Sequence, residues 1–136
     1  MPLTSEHPTV RSRLPPRVLV IDDDRMVGAV VRRVLERWGY GVAVVESGGE
    51  ALAHIRSWAP DLALVDLNLG DMYGGDLVRQ IHAELGADAP AMIILTAEDG
   101  VAVDGTVAVC PKSGVLSTLV PLVHAHTRSR RRRRLR

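Results

Sequence analysis

The chain contains five short runs of apolar residues that show no alternation with polar residues. A run of this kind is typical of a strand that is covered on both faces, as the strands of a parallel sheet are. Most segments between the runs carry apolar residues at helical spacing. The alternation of strands and helices predicts right-handed crossovers and an α/β sandwich, with helices on both faces of a five-stranded parallel sheet. The five runs are residues 18–21, 42–45, 62–65, 91–95 and 107–110.

Two helices are predicted in the first half of the chain. The first spans the apolar stripe from Met26 to Trp38, with an aspartate available as its N-cap and Gly39 as its stop. The second begins at Ser47, which can form a capping box with Glu50. The apolar faces of both helices are expected to cover the sheet.

The second half of the chain gives weaker helical signals. Asp76 is expected to open a third helix, after a loop at residues 70–75 whose glycines indicate mobility. Residues 97–106 carry no convincing apolar stripe. The fourth helix of the predicted fold, which would lie between the fourth and fifth strands, should therefore be short or absent. A last helix is expected after a cap at Ser113, and Pro121 should kink it or break it.

The charge pattern separates one domain from two ends. Residues 1–16 combine prolines and polar residues without apolar periodicity, which is typical of a disordered leader, and residues 17–127 form the predicted domain. Residues 128–136 contain seven arginines. The net charge of the whole chain is +1, so residues 1–127 together carry a net charge of −6. Such a tail is typically solvated and disordered, and its functional alternative is nonspecific contact of Arg128–Arg136 with nucleic acid or an anionic surface.

Composition bounds the class of protein. Hydrophobic residues make up 46% of the 136 positions, which suffices to bury the core of one domain. No run approaches the roughly 18 apolar residues that a membrane span needs, and the N-terminus lacks the pattern of a signal region. The single cysteine, Cys110, lies in an apolar run and is expected to be a buried thiol in a reducing compartment. We therefore expect a cytoplasmic protein.

Four of the five predicted strands end in side chains that can perform ionic or phosphoryl chemistry. Asp22 and Asp23 follow the first strand, Asp66 the third, Thr96 the fourth and Lys112 the fifth. Open α/β sheets build their sites at these carboxyl ends. One aspartate there is usually a turn former or a helix cap, but three converging carboxylates repel one another unless a cation neutralises them. Oxygen ligands without cysteine or histidine favour Mg²⁺ or Mn²⁺ over zinc.

The same groups suit phosphoryl transfer. A carboxylate is a competent nucleophile toward a phosphoryl donor and gives an acyl phosphate. A metal ion, a hydroxyl and an ammonium can share the negative charge of the transferring oxygens. Asp66, Thr96 and Lys112 supply the carboxylate, the hydroxyl and the ammonium.

Taken in order, these residues resemble those of the response-regulator receiver family. The resemblance covers residues 17–127 and implies a flavodoxin-like three-layer sandwich with strand order 2-1-3-4-5. It also implies a two-component phosphorelay protein that is no enzyme beyond its own phosphorylation and dephosphorylation. Its upstream partner would be a histidine kinase or a phosphotransfer protein. With no room expected for an output domain after the last helix, output would use contacts with an unknown protein target. The matching residues are Asp22, Asp23, Asp66, Thr96, Ala97, Glu98 and Lys112.

The resemblance also implies a role for each site residue. Asp66 would be the phosphoacceptor, and Thr96 and Lys112 would contact the phosphoryl oxygens. Asn68 and Glu98 would influence the access of water to the phosphate, and hence its lifetime. The implied metal ligands are Asp22, Asp23, Asp66 and the backbone carbonyl of Asn68.

Three departures from the family pattern affect the expected output. Gly70 stands where the family often has proline, and Pro111-Lys112 reverses the usual Lys-Pro order, so a cis Lys-Pro bond cannot form. Val109 replaces the aromatic switch residue that normally precedes the lysine by three positions. Together with the short segment after the fourth strand, these changes predict that output does not use the fourth-helix face in the common way.

Two other functions fit part of the pattern. The missing aromatic residue and the short segment are also compatible with a phosphate-independent pseudo-receiver that works as a docking module. A phosphatase of the haloacid-dehalogenase type would use Asp22 as nucleophile and Asp24 as acid. Such an enzyme expects threonine or valine where Met26 stands, and it leaves Asp66 without a role.

Overall fold

The five apolar runs form five parallel strands, and hydrogen bonds join them in the order β2-β1-β3-β4-β5. This order and the predicted α/β fold are confirmed, and each strand begins and ends within one residue of its prediction. The computed structural model describes residues 14–135, with side chains up to Arg128. The strands are β1 (Arg17–Ile21), β2 (Gly41–Val45), β3 (Leu62–Asp66), β4 (Ala91–Thr96) and β5 (Ala108–Pro111).

Four α-helices follow the strands. Asp24 caps the first, because its carboxylate accepts hydrogen bonds from the amides of Met26 and Val27. Ser47 caps the second, as its capping-box sequence predicts, by accepting from the amide of Glu50 at 3.1 Å. The helices are α1 (Arg25–Arg37), α2 (Gly48–Trp58), α3 (Gly74–Leu85) and α4 (Val115–Leu135).

Each face of the sheet buries its own hydrophobic core. Neighbouring strand residues point to opposite faces, so Leu19 and Ile21 join one core while Val18 and Val20 join the other. Helices α2 and α3 cover the first face, and α1 and α4 cover the second. Burial of one large aliphatic side chain stabilises the fold by about 1.5–3 kcal/mol. The structure is therefore the predicted three-layer sandwich, whose strand ends are held by packing on both sides.

The start of α3 differs from its prediction. The helix begins at Gly74, two residues before the expected Asp76, so the last two residues of the expected mobile loop are helical. The amide of Gly74 donates to the carbonyl of Leu67 at 2.6 Å, and a Cβ at Gly74 would collide with the backbone carbonyl of Asp66. Gly74 thus permits a close approach of helix and strand rather than loop motion.

The last helix also differs from its prediction. It runs without a break through Pro121 to Leu135, and Ser113 lies before it in a single 3₁₀ turn over Lys112–Gly114. Proline removes one backbone hydrogen bond, but buried Leu119 and Val123 hold the helix against the sheet on both sides of it. The helix continues into the arginine run as far as Leu135, whereas the sequence favoured a disordered tail there.

Residues 97–107 join β4 to β5 through bends and turns without a helix, as their sequence predicts. Helix α4 of the described chain therefore follows β5 and does not correspond to the helix that was expected to be short or absent. The predicted leader falls outside the described residues except for residues 14–16, which belong to no helix or strand. Within the described part of the chain, no helix has the length and apolar character needed to cross a membrane.

Candidate functional site

Residues from four strands meet at the carboxyl edge of the sheet. Asp22 directly follows β1, Asp66 is the last residue of β3, Thr96 is the last of β4, and Lys112 directly follows β5. The parallel register aligns Asp66 with Leu95 and Thr96 with Pro111, so these strand ends lie side by side. The sheet thereby assembles groups that are far apart in sequence.

Three carboxylates form the floor and one wall of the site. Asp22, Asp23 and Asp66 each offer an oxygen, and these three oxygens all lie within 4.8 Å of one another. Asp22 is fully buried and Asp66 is 6% exposed, whereas Asp23 is exposed to solvent. The cluster is therefore anchored in the protein and open on one side, which a site that exchanges ligands needs.

Lys112 supplies the positive charge inside this cluster. Its Nζ lies 3.1 Å from Oδ2 of Asp22 and 3.1 Å from Oδ1 of Asp66. Burial alone would lower the pKa of Lys112, but the contacts with the two carboxylates outweigh burial and raise the pKa. The side chain is thus held as an ammonium between two acidic groups.

Asp66 carries a perturbed carboxyl group. Burial, together with the charge of Asp22, raises the pKa of Asp66 from 3.8 to about 6, although Lys112 and the amide of Asn68 act in the opposite direction. The ammonium of Lys112 therefore does not fully offset the burial of Asp66 and the charge of Asp22. A group with such a perturbed pKa in an open site is typical of functional positions.

Asp22 leaves room for a further cation. Its Oδ1 accepts a hydrogen bond from the amide of Asp24 at 2.9 Å, but its buried Oδ2 accepts none and has only the ionic contact with Lys112. A buried carboxylate oxygen without a hydrogen bond is costly. A hard divalent ion with oxygen ligands would satisfy this oxygen and reduce the repulsion with Asp66, so the donor set fits Mg²⁺ chemically.

The remaining predicted residues lie in different environments: Asn68 and Glu98 are exposed loop residues, whereas Thr96 and Val109 belong to strands. Thr96 is buried, and its Oγ1 accepts from the amide of Glu98 at 3.0 Å. The amide side chain of Asn68 donates to Oε2 of Glu98 at 3.2 Å, so the two residues bridge the loops after β3 and β4. Val109 lies one strand position before Cys110, and its partly buried side chain packs against the core under α2 and α3.

Sequence reasoning missed Asp71 at the edge of the site. Its carboxylate accepts hydrogen bonds from the amides of Gly48 and Gly49, at 2.9 and 3.1 Å. These contacts span more than twenty residues, so no local capping pattern includes them. The one available signal for such a residue was the glycine pair at the start of α2. No nearby side chain caps the amides of these two glycines.

Comparison with known proteins gives consistent matches. Residues 18–117 match the family model of the response regulator receiver domain. The chain is 40% identical over 88 residues to the response regulator MprA of Mycolicibacterium vanbaalenii, covering 65% of this chain and 37% of that protein. It is 38% identical over 82 residues to the DNA-binding response regulator MtrA of Mycolicibacterium smegmatis, covering 60% of this chain and 35% of that protein. The chain thus spans little more than a third of the length of these relatives.

Solved structures show the same architecture. A signal receiver domain from Vibrio parahaemolyticus superposes with a TM-score of 0.80 at 26% identity, covering 90% of this chain and 97% of that one. The response regulator TrrA from Thermotoga maritima, solved in complex with Mg²⁺ and BeF, gives a TM-score of 0.74 at 24% identity, covering 82% and 98%. The second likeness concerns the fold alone.

Proposed function

The chain belongs to the response regulator receiver family, and on this premise we propose that it accepts a phosphoryl group on Asp66 from a histidine kinase or a phosphotransfer protein. The observation that carries the proposal is the geometry around Asp66. Its carboxylate ends a central strand, contacts the ammonium of Lys112 at 3.1 Å and shares an open pocket with two further carboxylates. This arrangement suits a nucleophile that receives a highly charged group.

The proposed step is a phosphoryl transfer to a carboxylate. An oxygen of Asp66 forms a bond to phosphorus, the bond between phosphorus and the donor nitrogen breaks, and the donor imidazole leaves with the electron pair. The ammonium of Lys112 and the hydroxyl of Thr96 receive the phosphoryl oxygens. Thr96 ends the strand that pairs with the strand of Asp66, and the Nζ of Lys112 already lies 3.1 Å from Asp66, so the protein needs little rearrangement to bind the new group.

The proposed metal ligands are Asp22, Asp23, Asp66 and the backbone carbonyl of Asn68. Mg²⁺ or Mn²⁺ bound there would neutralise the carboxylates and add positive charge next to the phosphoryl oxygens. The buried Oδ2 of Asp22, which among the described residues has only the ammonium of Lys112 as a partner, and the raised pKa of Asp66 support a site that is incomplete without a further cation.

The rim residues are proposed to modulate the phosphorylated state. The contact between Asn68 and Glu98 joins the loops after β3 and β4, next to the strand ends that carry Asp66 and Thr96, and water must pass near these residues to hydrolyse an acyl phosphate on Asp66. Val109 offers no aromatic ring for a rotamer switch, and residues 97–107 form no helix. Both features support an output surface that does not include residues 97–107, where the family commonly has its fourth helix. A downstream protein would recognise this other surface.

The two alternatives are less well supported. In a phosphatase of the haloacid-dehalogenase type, Asp24 would have to act as a free acid, but its carboxylate caps α1 through the amides of Met26 and Val27. A phosphate-independent docking module is favoured by Val109 and by the missing helix at residues 97–107. Against it stands the complete acidic pocket with Lys112, which docking alone does not require.

Intact-mass spectrometry after incubation with acetyl phosphate tests the proposal. We expect a gain of about one phosphoryl mass, roughly 80 Da, that requires Mg²⁺ and is absent from the Asp66→Asn variant. A matched control is Asp99→Asn, which removes an exposed carboxylate from the segment after β4 and should leave the adduct unchanged. No adduct on the wild type, despite Mg²⁺ binding and rapid sampling, would instead favour the docking module.

The arginine run is proposed to contact nucleic acid without sequence specificity. The helix α4 continues through this run, and like charges at helical spacing repel one another unless anions neutralise them. We expect duplex DNA of any sequence to bind with an affinity that falls steeply with salt, and replacement of Arg130–Arg134 by glutamine to flatten this slope. Fluorescence anisotropy over a salt series measures both. A slope that the replacement leaves unchanged would contradict the proposal.

A further inference from the structure

We infer that Asp71 is a positioning residue that tethers the loop between β3 and α3 to the start of α2, and so holds the backbone carbonyl of Asn68 at the carboxylate site. The inference rests on the proposed function, because that carbonyl is one of the proposed metal ligands. Asp71 lies three positions beyond Asn68 in the chain, and its own side chain contacts helix amides and not the proposed metal site.

The tether consists of two charge-assisted hydrogen bonds. The amide of Gly48 donates to Oδ1 of Asp71 at 2.9 Å, and the amide of Gly49 donates to Oδ2 at 3.1 Å. Each carboxylate oxygen thus receives one donor, so both ends of the carboxylate are held. The hydrogen bonds from the two amides lower the pKa of Asp71 below its usual value, as expected when donors stabilise the carboxylate.

The helix α2 receives its caps from two different parts of the chain. Ser47 satisfies the amide of Glu50, which is the local contact that a capping box provides. The two preceding amides have Asp71 as their partner, across 22 to 23 residues of sequence. A nearby serine or aspartate could cap a helix without binding a loop. Here the cap is supplied by the loop, so helix and loop hold each other in place.

Met72 adds an apolar contact next to the polar one. A Cβ at Gly48 would collide with the side chain of Met72, so the glycine allows that side chain to lie directly against the helix start. Met72 also packs against the core under α2 and α3. Consecutive loop residues are therefore anchored to the same turn of α2, one by hydrogen bonds and the other by packing.

The rest of the loop transmits this anchoring to the site. Asn68 and Tyr73 form an antiparallel bridge, and the amide of Leu69 donates to the carbonyl of Met72 at 3.1 Å. The loop is thus closed on itself, and its tip at Gly70 lies beside Oδ2 of Asp23, with 3.7 Å between that oxygen and the position of a Cβ. Movement of the tip would displace the backbone at Asn68 and would change the surroundings of Asp23 in the carboxylate cluster.

The test measures Mg²⁺ binding and not phosphorylation alone. Isothermal titration of the full chain at 0.15 M salt, where long-range charge effects are screened, should give an Asp71→Ala variant with a Kd about tenfold weaker than the wild type. Ser47→Ala removes the other cap of α2, and Glu50→Gln removes an exposed charge from its first turn. Both controls should change the Kd less than about twofold.

Hydrogen exchange supplies the second readout. In Asp71→Ala, the amides of Gly48, Gly49 and Leu69 should all exchange faster, whereas in Ser47→Ala the amide of Leu69 should stay protected. If Asp71→Ala is unstable, Asp71→Asn keeps one acceptor oxygen and should weaken the Kd by about threefold. Wild-type Mg²⁺ affinity in the Asp71 variants would overturn the tether and leave the proposed function intact. A wild type that binds no Mg²⁺ would overturn both.

Discussion

Replacing Asp66 with asparagine is expected to stabilise the metal-free protein against unfolding by about 1–3 kcal/mol at pH 7. Burial and the charge of Asp22 raise the pKa of Asp66 from 3.8 to about 6, so at neutral pH the folded protein holds this carboxylate less favourably than the unfolded chain does. Asparagine has nearly the same shape and no charge, so it removes the penalty. Urea unfolding of both proteins in excess chelator measures the difference.

The stabilisation should depend on pH in a defined direction. Because the folded-state pKa is raised, the folded protein binds more protons than the unfolded chain between about pH 4 and about pH 6, and its stability falls as the pH rises through that window. The variant lacks this group. The difference between the two proteins is therefore expected to vanish below about pH 4 and to be constant above about pH 7.

Mg²⁺ should cancel most or all of the stability advantage of the variant. An ion that binds only the folded wild type stabilises it by about 2.7 kcal/mol at a concentration one hundred times its Kd, whereas the variant has lost a ligand. The control Asp99→Asn removes an exposed carboxylate and should follow the wild type throughout. Equal stability of wild type and Asp66→Asn in chelator at pH 7 would contradict the inference that burial and the charge of Asp22 disfavour the ionised form of Asp66.

Local patterns predicted most of the fold because the elements themselves are local. The five apolar runs became five parallel strands, since residues such as Leu64 and Ile93 are buried between two helical layers and need no polar alternation. Once the strands are parallel, their carboxyl ends must share one edge. The proximity of Asp22, Asp66 and Lys112 therefore follows from the topology, although their mutual distances do not.

The predictions failed where a distant contact decides the local structure. Pro121 predicted a kink or a break, and the break is absent because packing of Leu119 and Val123 on the sheet outweighs the loss of one backbone hydrogen bond. Gly74 suggested a mobile loop, but it is needed for the close approach of α3 to β3. Asp71 gave no local signal at all, because its partners belong to another helix. These residues could be interpreted only once the neighbouring elements were in place.

Lys112→Met is expected to slow the phosphorylation of Asp66 by about 100-fold or more at saturating Mg²⁺. The ammonium lies 3.1 Å from both Asp22 and Asp66, where it can neutralise charge on the incoming phosphoryl oxygens without rearrangement. Methionine has a similar apolar stem and no charge. The initial rate at which the phosphoryl adduct forms with acetyl phosphate, followed by intact mass, measures the loss.

Mg²⁺ affinity of the same variant should stay unchanged or increase. The ammonium and the divalent ion attract the same carboxylate oxygens, so removing the ammonium removes a competitor for them. The control Arg25→Met removes an exposed cation that pairs with Glu46, and it should alter neither quantity by more than about twofold. Lys112→Arg keeps the charge but replaces a compact ammonium by a planar fork, so it should recover the rate only in part.

The combination of the two measurements identifies the role of the lysine. A slow rate with full Mg²⁺ affinity means that the carboxylates are still correctly placed and that the ammonium acts on the phosphoryl group. A slow rate accompanied by an equal loss of Mg²⁺ affinity would mean that Lys112 mainly holds Asp22 and Asp66 in position. A wild-type rate would remove Lys112 from the chemistry, and the acidic pocket would then have to accept the phosphoryl group with the divalent ion as its only cation.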